Sequence, residues 1–73
     1  MNVVVARLKL WEVRQQRQDY ERRYGMDFAA FKQAWQDGRI PNAHSYEVER
    51  EYWEWEAAVT DEERLQQIAE SLT

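Results

Sequence analysis

Few side chains in this sequence could do nucleophilic or acid–base chemistry. His44 is the single histidine among the 73 residues, and it stands beside Ser45, three residues after the only proline. A nucleophile and its base need a third group to orient the base, and neighbouring residues in a loop lack that support. We therefore expect His44 to be a solvated residue or part of a helix-capping region, and we expect no catalytic residue.

The residue types that bind metals and cofactors are also poorly represented. Glu47, Glu51 and Glu54 recur at i, i+4 and i+7, which is typical of a solvated face or of a surface that attracts cations. Cysteine is absent, so the chain has no thiolate ligand and no disulfide. Its two glycines stand alone rather than in a phosphate-binding loop. We expect no metal, no cofactor and no enzymatic activity.

The most informative segment covers residues 46–59, Tyr-Glu-Val-Glu-Arg-Glu-Tyr-Trp-Glu-Trp-Glu-Ala-Ala-Val. On a helix it carries two apolar stripes on opposite sides, with acidic residues between them. The first stripe consists of Val48, Tyr52, Trp55 and Val59, and the second of Tyr46, Trp53 and Ala57. A strand would have to change faces between Tyr52 and Trp53, so the pattern favours a helix. A helix with two apolar stripes needs two neighbours, which indicates a protein that binds another protein.

Three roles are open for this segment: core packing, self-association, or docking on a basic groove of a partner. Tryptophan and tyrosine supply core area, but they also dominate interface hot spots. The opposed stripes favour docking, with aromatic anchors and glutamates as charge partners. The expected partner-binding residues are Tyr46, Glu47, Glu51, Trp53, Glu54 and Trp55. Trp53 is the sharper prediction, because Trp55 belongs to the stripe that also fits a core.

Charge divides the chain into two halves. Residues 1–40 carry eight Lys or Arg against five Asp or Glu, a net charge of +3, whereas residues 41–73 carry two against nine, a net charge of −7. We predict one small domain, with a basic helical half at 1–37, a hinge at 38–45 and an acidic aromatic helical half at 46–73. Because the chain has no cysteine and no apolar run of membrane-spanning length, we expect a cytoplasmic protein without membrane contact.

The basic half begins with a segment from about Val3 to Tyr24. One heptad stripe consists of Val3, Ala6, Leu10, Val13, Tyr20 and Tyr24, with Arg17 at an a position. A second stripe, Val4, Leu8 and Trp11, occupies the first half only. Residues 3–10 also alternate in polarity as a strand does, so both structures are open there, with helix favoured.

If residues 3–10 form a strand, the strand–helix–helix order resembles the ribbon-helix-helix operator-binding proteins, whose paired strands enter the major groove. The candidate DNA or dimer contacts are Arg7, Lys9, Arg14 and Arg17. The acidic second half opposes DNA binding electrostatically. The alternative is that these basic residues are solvated and pair with the chain's own glutamates.

Helix-end signals divide the chain into three or four short helices, an all-α architecture. Gly25 ends the first helix, and Asp27 caps a second one that carries Phe28, Phe31 and Trp35. Gly38 ends the second helix, and Ser45 caps the acidic aromatic one. The capping-box pattern of Thr60 and Glu63 predicts a last helix from about Asp61. Its expected apolar face consists of Leu65, Ile68, Ala69 and Leu72.

Residues 24–32, Tyr-Gly-Met-Asp-Phe-Ala-Ala-Phe-Lys, and residues 44–56, His-Ser-Tyr-Glu-Val-Glu-Arg-Glu-Tyr-Trp-Glu-Trp-Glu, carry a family resemblance. With Gly38 between them, they resemble short helical antitoxins of bacterial and archaeal toxin–antitoxin operons, the kind paired with TumE-type toxins. In those proteins a YGM-x-F-x-x-F helix precedes a glycine-containing loop and an acidic aromatic helix. The resemblance covers roughly residues 20–60 and does not extend to the N-terminal segment.

The resemblance implies inhibition of a cognate toxin, commonly an RNA-cleaving enzyme, by tight binding. A glutamate-flanked helix suits that role, because it can occupy a basic cleft as a phosphate mimic. The predicted function is therefore that of a non-enzymatic antitoxin that forms homo-oligomers, dimerising or wrapping its target through residues 3–24, with autoregulatory DNA binding as an added possibility. The alternatives are a small dimeric DNA-binding regulator that uses the basic N-terminal segment, and a structural homo-oligomer.

Overall fold

The computed structural model describes residues 2–71, which form three α-helices. Helix α1 covers Val3–Tyr24, α2 covers Phe28–Gln36 and α3 covers Tyr46–Ser71. α1 and α3 run antiparallel and pack along most of their length, and α2 packs at the end where α1 finishes. The molecule is elongated, with Cα extents of 43 × 18 × 17 Å. Within residues 2–71 the all-α prediction is confirmed.

Residues 3–10 are helical, so the strand alternative is wrong. Ala6 is fully buried and Leu10 is 6% exposed, and both lie on the heptad stripe that faces α3. Burial of these residues against α3 therefore stabilises the helical conformation of this segment. Residues 2–71 contain no strand with which it could pair as a strand. The Asn2 side chain caps α1 by accepting a hydrogen bond of 2.9 Å from the Val5 N–H.

The predicted ends of α1 and α2 are confirmed. Gly25 follows α1 with a φ of 68°, and its N–H donates to the Glu21 carbonyl at 2.8 Å. The Asp27 side chain accepts a hydrogen bond of 2.9 Å from the N–H three residues later and so caps α2. Gly38, with a φ of 72°, ends α2 in a Schellman motif. Both glycines occupy the left-handed region, which glycine adopts without the steric penalty that a Cβ brings.

The prediction of a separate last helix is wrong, because α3 continues through Thr60 without interruption for 26 residues. α1 lies beside the predicted break and packs against α3 on both sides of it. Ala58 before the break and Leu65 after it are both buried. The continuous packing surface outweighs the local capping signal, which only helps a helix that has to begin there. Leu72, expected on the face of this last helix, lies outside the described residues.

The connection between α2 and α3 covers residues 37–45 and contributes to the core. Ile40 is 8% exposed and belongs to the main hydrophobic cluster. The Ser45 hydroxyl caps α3 as predicted, by accepting a hydrogen bond of 3.3 Å from the Val48 N–H. Hinge motion in this segment stays a prediction.

The core is aromatic and lies at the α2 end of the molecule. Phe31 and Trp55 are fully buried at its centre, with ring centroids 4.9 Å apart. Tyr20 stacks on Trp55 at 5.5 Å. Phe31 is a buried member of this cluster, and Phe28 and Trp35 on the same helix are half-buried and pack against it. Among residues 2–71, no helix combines the length and the apolar character of a membrane span.

Candidate functional site

The side of α3 that points away from α1 and α2 carries large aromatic side chains in solvent. Tyr46 is 78% exposed and Trp53 is 64% exposed, and Ala57 continues the same side of the helix. We call this surface, Tyr46, Arg50, Trp53 and Ala57, the outer face of α3. Large rings exposed on one side of a helix in a folded chain are typical of a binding surface. The sequence placed Tyr46, Trp53 and Ala57 on one stripe, and α3 carries them on one side, with Tyr46 and Trp53 two turns apart.

Glutamates line both edges of the outer face of α3. Helical geometry puts Glu47 and Glu54 along one edge and Glu49 and Glu56 along the other. Arg50 lies between the edges, with its guanidinium carbon 6.0 Å from the centre of the Tyr46 ring. Its Nε lies 3.9 Å from a Glu54 oxygen, so one cation offsets part of the acidic charge.

Two of the expected partner-binding residues belong to the fold instead. Trp55 is fully buried against Tyr20 and Phe31, so it cannot touch a partner while this fold is intact. The Glu51 side chain is 15% exposed and accepts hydrogen bonds from the Tyr24 hydroxyl and the Arg23 guanidinium. The expectation that Trp55 and Glu51 face a partner is therefore corrected.

Glu54 is shared between the fold and the surface. One of its oxygens accepts a hydrogen bond of 2.5 Å from the Tyr20 hydroxyl, while 47% of its side chain is exposed. Burial, with help from this bond, raises the pKa of Tyr20 to about 12. Burial and the bond to Glu51 likewise raise the pKa of Tyr24 to about 12. These two tyrosines tie the acidic helix to the end of α1.

Half of the candidate DNA contacts are used inside the molecule. Glu62 accepts hydrogen bonds from the Arg14 Nε at 3.2 Å and from the Arg17 Nε at 2.9 Å. Arg7 and Lys9 are exposed, but they lie on helix α1 and not on a strand of the kind that ribbon-helix-helix proteins use. The sequence alternative in which arginines pair with the chain's own glutamates fits Arg14 and Arg17.

Sequence reasoning missed Glu62 as the partner of these arginines. The signal was present, because Arg17 occupies an a position inside the apolar stripe that faces α3. A charged residue at such a position needs a counter-ion from the facing helix, and antiparallel packing supplies Glu62.

His44 and Ser45, the adjacent pair of chemistry-bearing residues, immediately precede α3. His44 is 93% exposed in its side chain, and its Nδ1 lies 3.9 Å from a Glu49 oxygen. Ser45 is used as a helix cap. Among residues 2–71, no group of three or more His, Asp or Glu side chains could hold a metal ion.

No protein-family profile, no curated protein and no solved structure matches this chain.

Proposed function

We propose that this chain is a non-enzymatic antitoxin that neutralises a cognate toxin by docking the outer face of α3 on it. The observation that carries the proposal is the exposure of Tyr46 and Trp53, 78% and 64%, on a chain whose core is complete without them. Trp53 touches the core only by an edge contact of 5.3 Å with the Tyr52 ring, so most of its indole is available to a partner, where Trp and Tyr are the strongest anchors.

The charge pattern specifies the kind of surface that the partner presents. Glutamates on both edges of an aromatic ridge match a groove with apolar pockets and basic walls. A toxin that cleaves RNA has such a groove, because it binds a phosphate backbone. Glu47 and Glu54 are the charge partners on one edge, with Glu54 held in place by Tyr20. The antitoxin identity itself comes from the sequence resemblance over residues 20–60.

The functional test uses growth arrest. The product of the open reading frame adjacent to the gene is induced in a bacterial host, with and without the full chain. We expect arrest without the chain and relief with it. Relief should be lost with Trp53→Ala, because removal of a central anchor weakens binding by about 2–4 kcal/mol, or roughly 30-fold to 1,000-fold.

The chain supplies a matched control for this variant. Trp11 is 62% exposed on α1, close to the 64% of Trp53 on α3, so both substitutions remove an exposed indole. Trp11→Ala should retain one-to-one affinity for the toxin by calorimetry, whereas Trp53→Ala should not. Equal affinity of the two variants, with both shown by circular dichroism to be folded, would reject the outer face of α3 as the binding surface.

DNA binding by the basic segment has a separate test. Arg7 and Lys9 are the two exposed candidates, and two such cations give a shallow dependence of affinity on salt. Binding to the operon's own promoter fragment that vanishes in the Arg7→Ala/Lys9→Ala double variant would favour a regulator. Promoter affinity that is unchanged in this variant would exclude these contacts.

A further inference from the structure

A second apolar surface lies on α1 and is not covered by any of residues 2–71. Val4, Leu8 and Trp11 are 62%, 60% and 62% exposed, and they follow one another at i, i+4 and i+7 along α1. Val4 and Leu8 lie on the side of α1 away from α3, and Trp11 also borders a cleft that α3 lines with Gln66 and Ala69. We call this surface the outer face of α1. Three large apolar side chains in a row on one helix are typical of a coiled-coil seam rather than of a solvated face.

The seam continues in the heptad register that these residues set. With Val4 and Trp11 at d and Leu8 at a, the next a and d positions are Gln15 and Gln18. Uncharged polar residues at such positions weaken a seam but fix its register. The core stripe of α1 lies on the opposite side of the helix, so a neighbour at this seam leaves the packing of α1 on α3 unchanged.

The flanks of the seam carry opposite charges. Arg7 occupies a g position, and Glu12 occupies the e position five residues later. In a parallel pair of helices, the g position of one chain faces the e position of the next heptad in the other chain. Arg7 of each copy therefore faces Glu12 of the other copy, which gives two ion pairs. Both side chains are exposed, and neither has an ion pair or hydrogen bond within residues 2–71.

An antiparallel pair would bring the same flank of the two helices together. Arg7 would then face an arginine, either Arg7 or Arg14 of the second copy, depending on the register. Like charges at these positions destabilise a helix pair. The charge pattern of α1 therefore selects a parallel arrangement.

We propose that two copies of this chain associate in parallel through the outer face of α1, with Leu8 at the centre of the seam and reciprocal Arg7–Glu12 pairs at its edges. The dimer places α3 of each copy on the outside, so both outer faces of α3 remain open. The proposal concerns the opposite side of the molecule from the toxin-binding surface and does not rest on the identity of the target.

The first test is the mass of the full chain by sedimentation equilibrium. We expect a reversible dimer of twice the 8.9 kDa chain. Leu8→Glu should raise the dissociation constant at least tenfold without loss of helix content, because Leu8 is 60% exposed in the single chain. Trp53→Ala on α3 is the control and should leave the dissociation constant unchanged. A chain that stays monomeric at millimolar concentration, or a dimer lost in Trp53→Ala, would overturn the proposal.

The second test reports the direction of the helices. The chain has no cysteine, so a single Gln15→Cys variant carries one thiol, at an a position of the seam. A parallel dimer brings the two copies of residue 15 together, and mild oxidation should cross-link the variant with itself. Cross-linking seen only when Gln15→Cys is mixed with Val4→Cys would show an antiparallel dimer and refute the proposal.

The third test addresses the ion pairs. Arg7→Glu and Glu12→Arg should each weaken self-association, since each places like charges across the seam. A mixture of the two variants should restore dimers, because both pairs are then complementary. Arg7 and Glu12 are five residues apart and do not face each other on their own helix, so a restored mixture reports contact between copies. No recovery in the mixture would contradict the proposed pairing.

Discussion

Trp53 and Trp55 are two residues apart, and a helix turns about 200° between them, so one lies in solvent and the other in the core. Trp55→Ala should lower the free energy of unfolding by about 3–5 kcal/mol, because it empties a site packed by Tyr20 and Phe31. A domain of this size has only about 4–11 kcal/mol in total. Trp53→Ala should change the free energy of unfolding by no more than about 0.5 kcal/mol. Urea unfolding followed by circular dichroism measures both values.

The two substitutions remove the same side chain, so Trp53→Ala controls for the loss of an indole in itself. Trp55→Phe adds a graded variant, since it keeps an aromatic ring and removes the Trp55 Nε1, a buried atom that has no hydrogen-bond partner among residues 2–71. It should therefore cost less than Trp55→Ala. Similar losses in Trp53→Ala and Trp55→Ala would contradict the assignment of one ring to the surface and the other to the core.

Tyr20 and Tyr24 make stability depend on alkaline pH. Their pKa values are raised to about 12, whereas tyrosine in an unfolded chain titrates near 10. Below pH 10 the two tyrosines are protonated in both the folded and the unfolded chain, and their contribution to the free energy of unfolding is fully present. As the pH rises from about 10 to 12, the unfolded chain loses its protons first, so the free energy of unfolding falls, by at most about 1.4 kcal/mol per pH unit for each tyrosine.

Urea unfolding between pH 9 and pH 12 measures this decline. The double variant Tyr20→Phe/Tyr24→Phe should show a shallower slope in that interval, because it lacks both hydroxyls. Tyr46→Phe is the matched control, since it removes a hydroxyl from a ring that is 78% exposed and outside the core. An equally steep slope in the double variant would show that other groups cause the decline.

At the scale of the helices, two residues carry a capping signal, and only one of them caps a helix. Ser45 caps α3, so Ser45→Ala should lower the free energy of unfolding by about 0.5–2 kcal/mol. Thr60 lies inside α3 and is exposed, so Thr60→Ala should raise stability by up to about 0.7 kcal/mol, through the higher helix propensity of alanine. Thermal and urea unfolding give both signs. A destabilising Thr60→Ala would indicate a helix that begins at Asp61.

The ends of the helices could be read from the sequence wherever a local interaction decides them. Gly25, Asp27, Gly38 and Ser45 act within one helical turn of the end that they define. Thr60 carries the same kind of signal, and the prediction failed because contacts of α1 with residues on both sides of it decide the outcome. Local rules identify helix ends well, but they do not show where a second helix lies.

The candidate site could be predicted in part for the same reason. The period of residues 46–59 shows two stripes, but only the fold shows which stripe is buried. Tyr20 and Phe31 come from other helices and close over Trp55, which leaves Trp53 outside. The role of Glu51 was not predictable either, because it depends on the Tyr24 hydroxyl, 27 positions earlier in the chain.

At the scale of the whole molecule, the two ends are held together differently. The α2 end contains the aromatic cluster around Trp55 and Phe31. Towards the other end, the buried side chains of α1 and α3 are smaller, with Ala6 and Ala69 among them. A smaller apolar area leaves more of the stability there to polar contacts. The charge asymmetry of the sequence supplies them, since basic α1 lies against acidic α3.

Glu62 is the main polar contact between α1 and α3 away from the aromatic core, since it binds Arg14 and Arg17 together. Glu62→Gln removes the charge but keeps the shape, and it should lower the free energy of unfolding by about 1–2 kcal/mol. Amide hydrogen exchange should accelerate in residues 3–13 and 63–71, while residues around Trp55 keep their protection until the whole chain unfolds. Glu63→Gln is the matched control, because Glu63 is the exposed neighbour of Glu62 on α3. Uniform acceleration along the chain in Glu62→Gln would show instead that the two ends open as one unit.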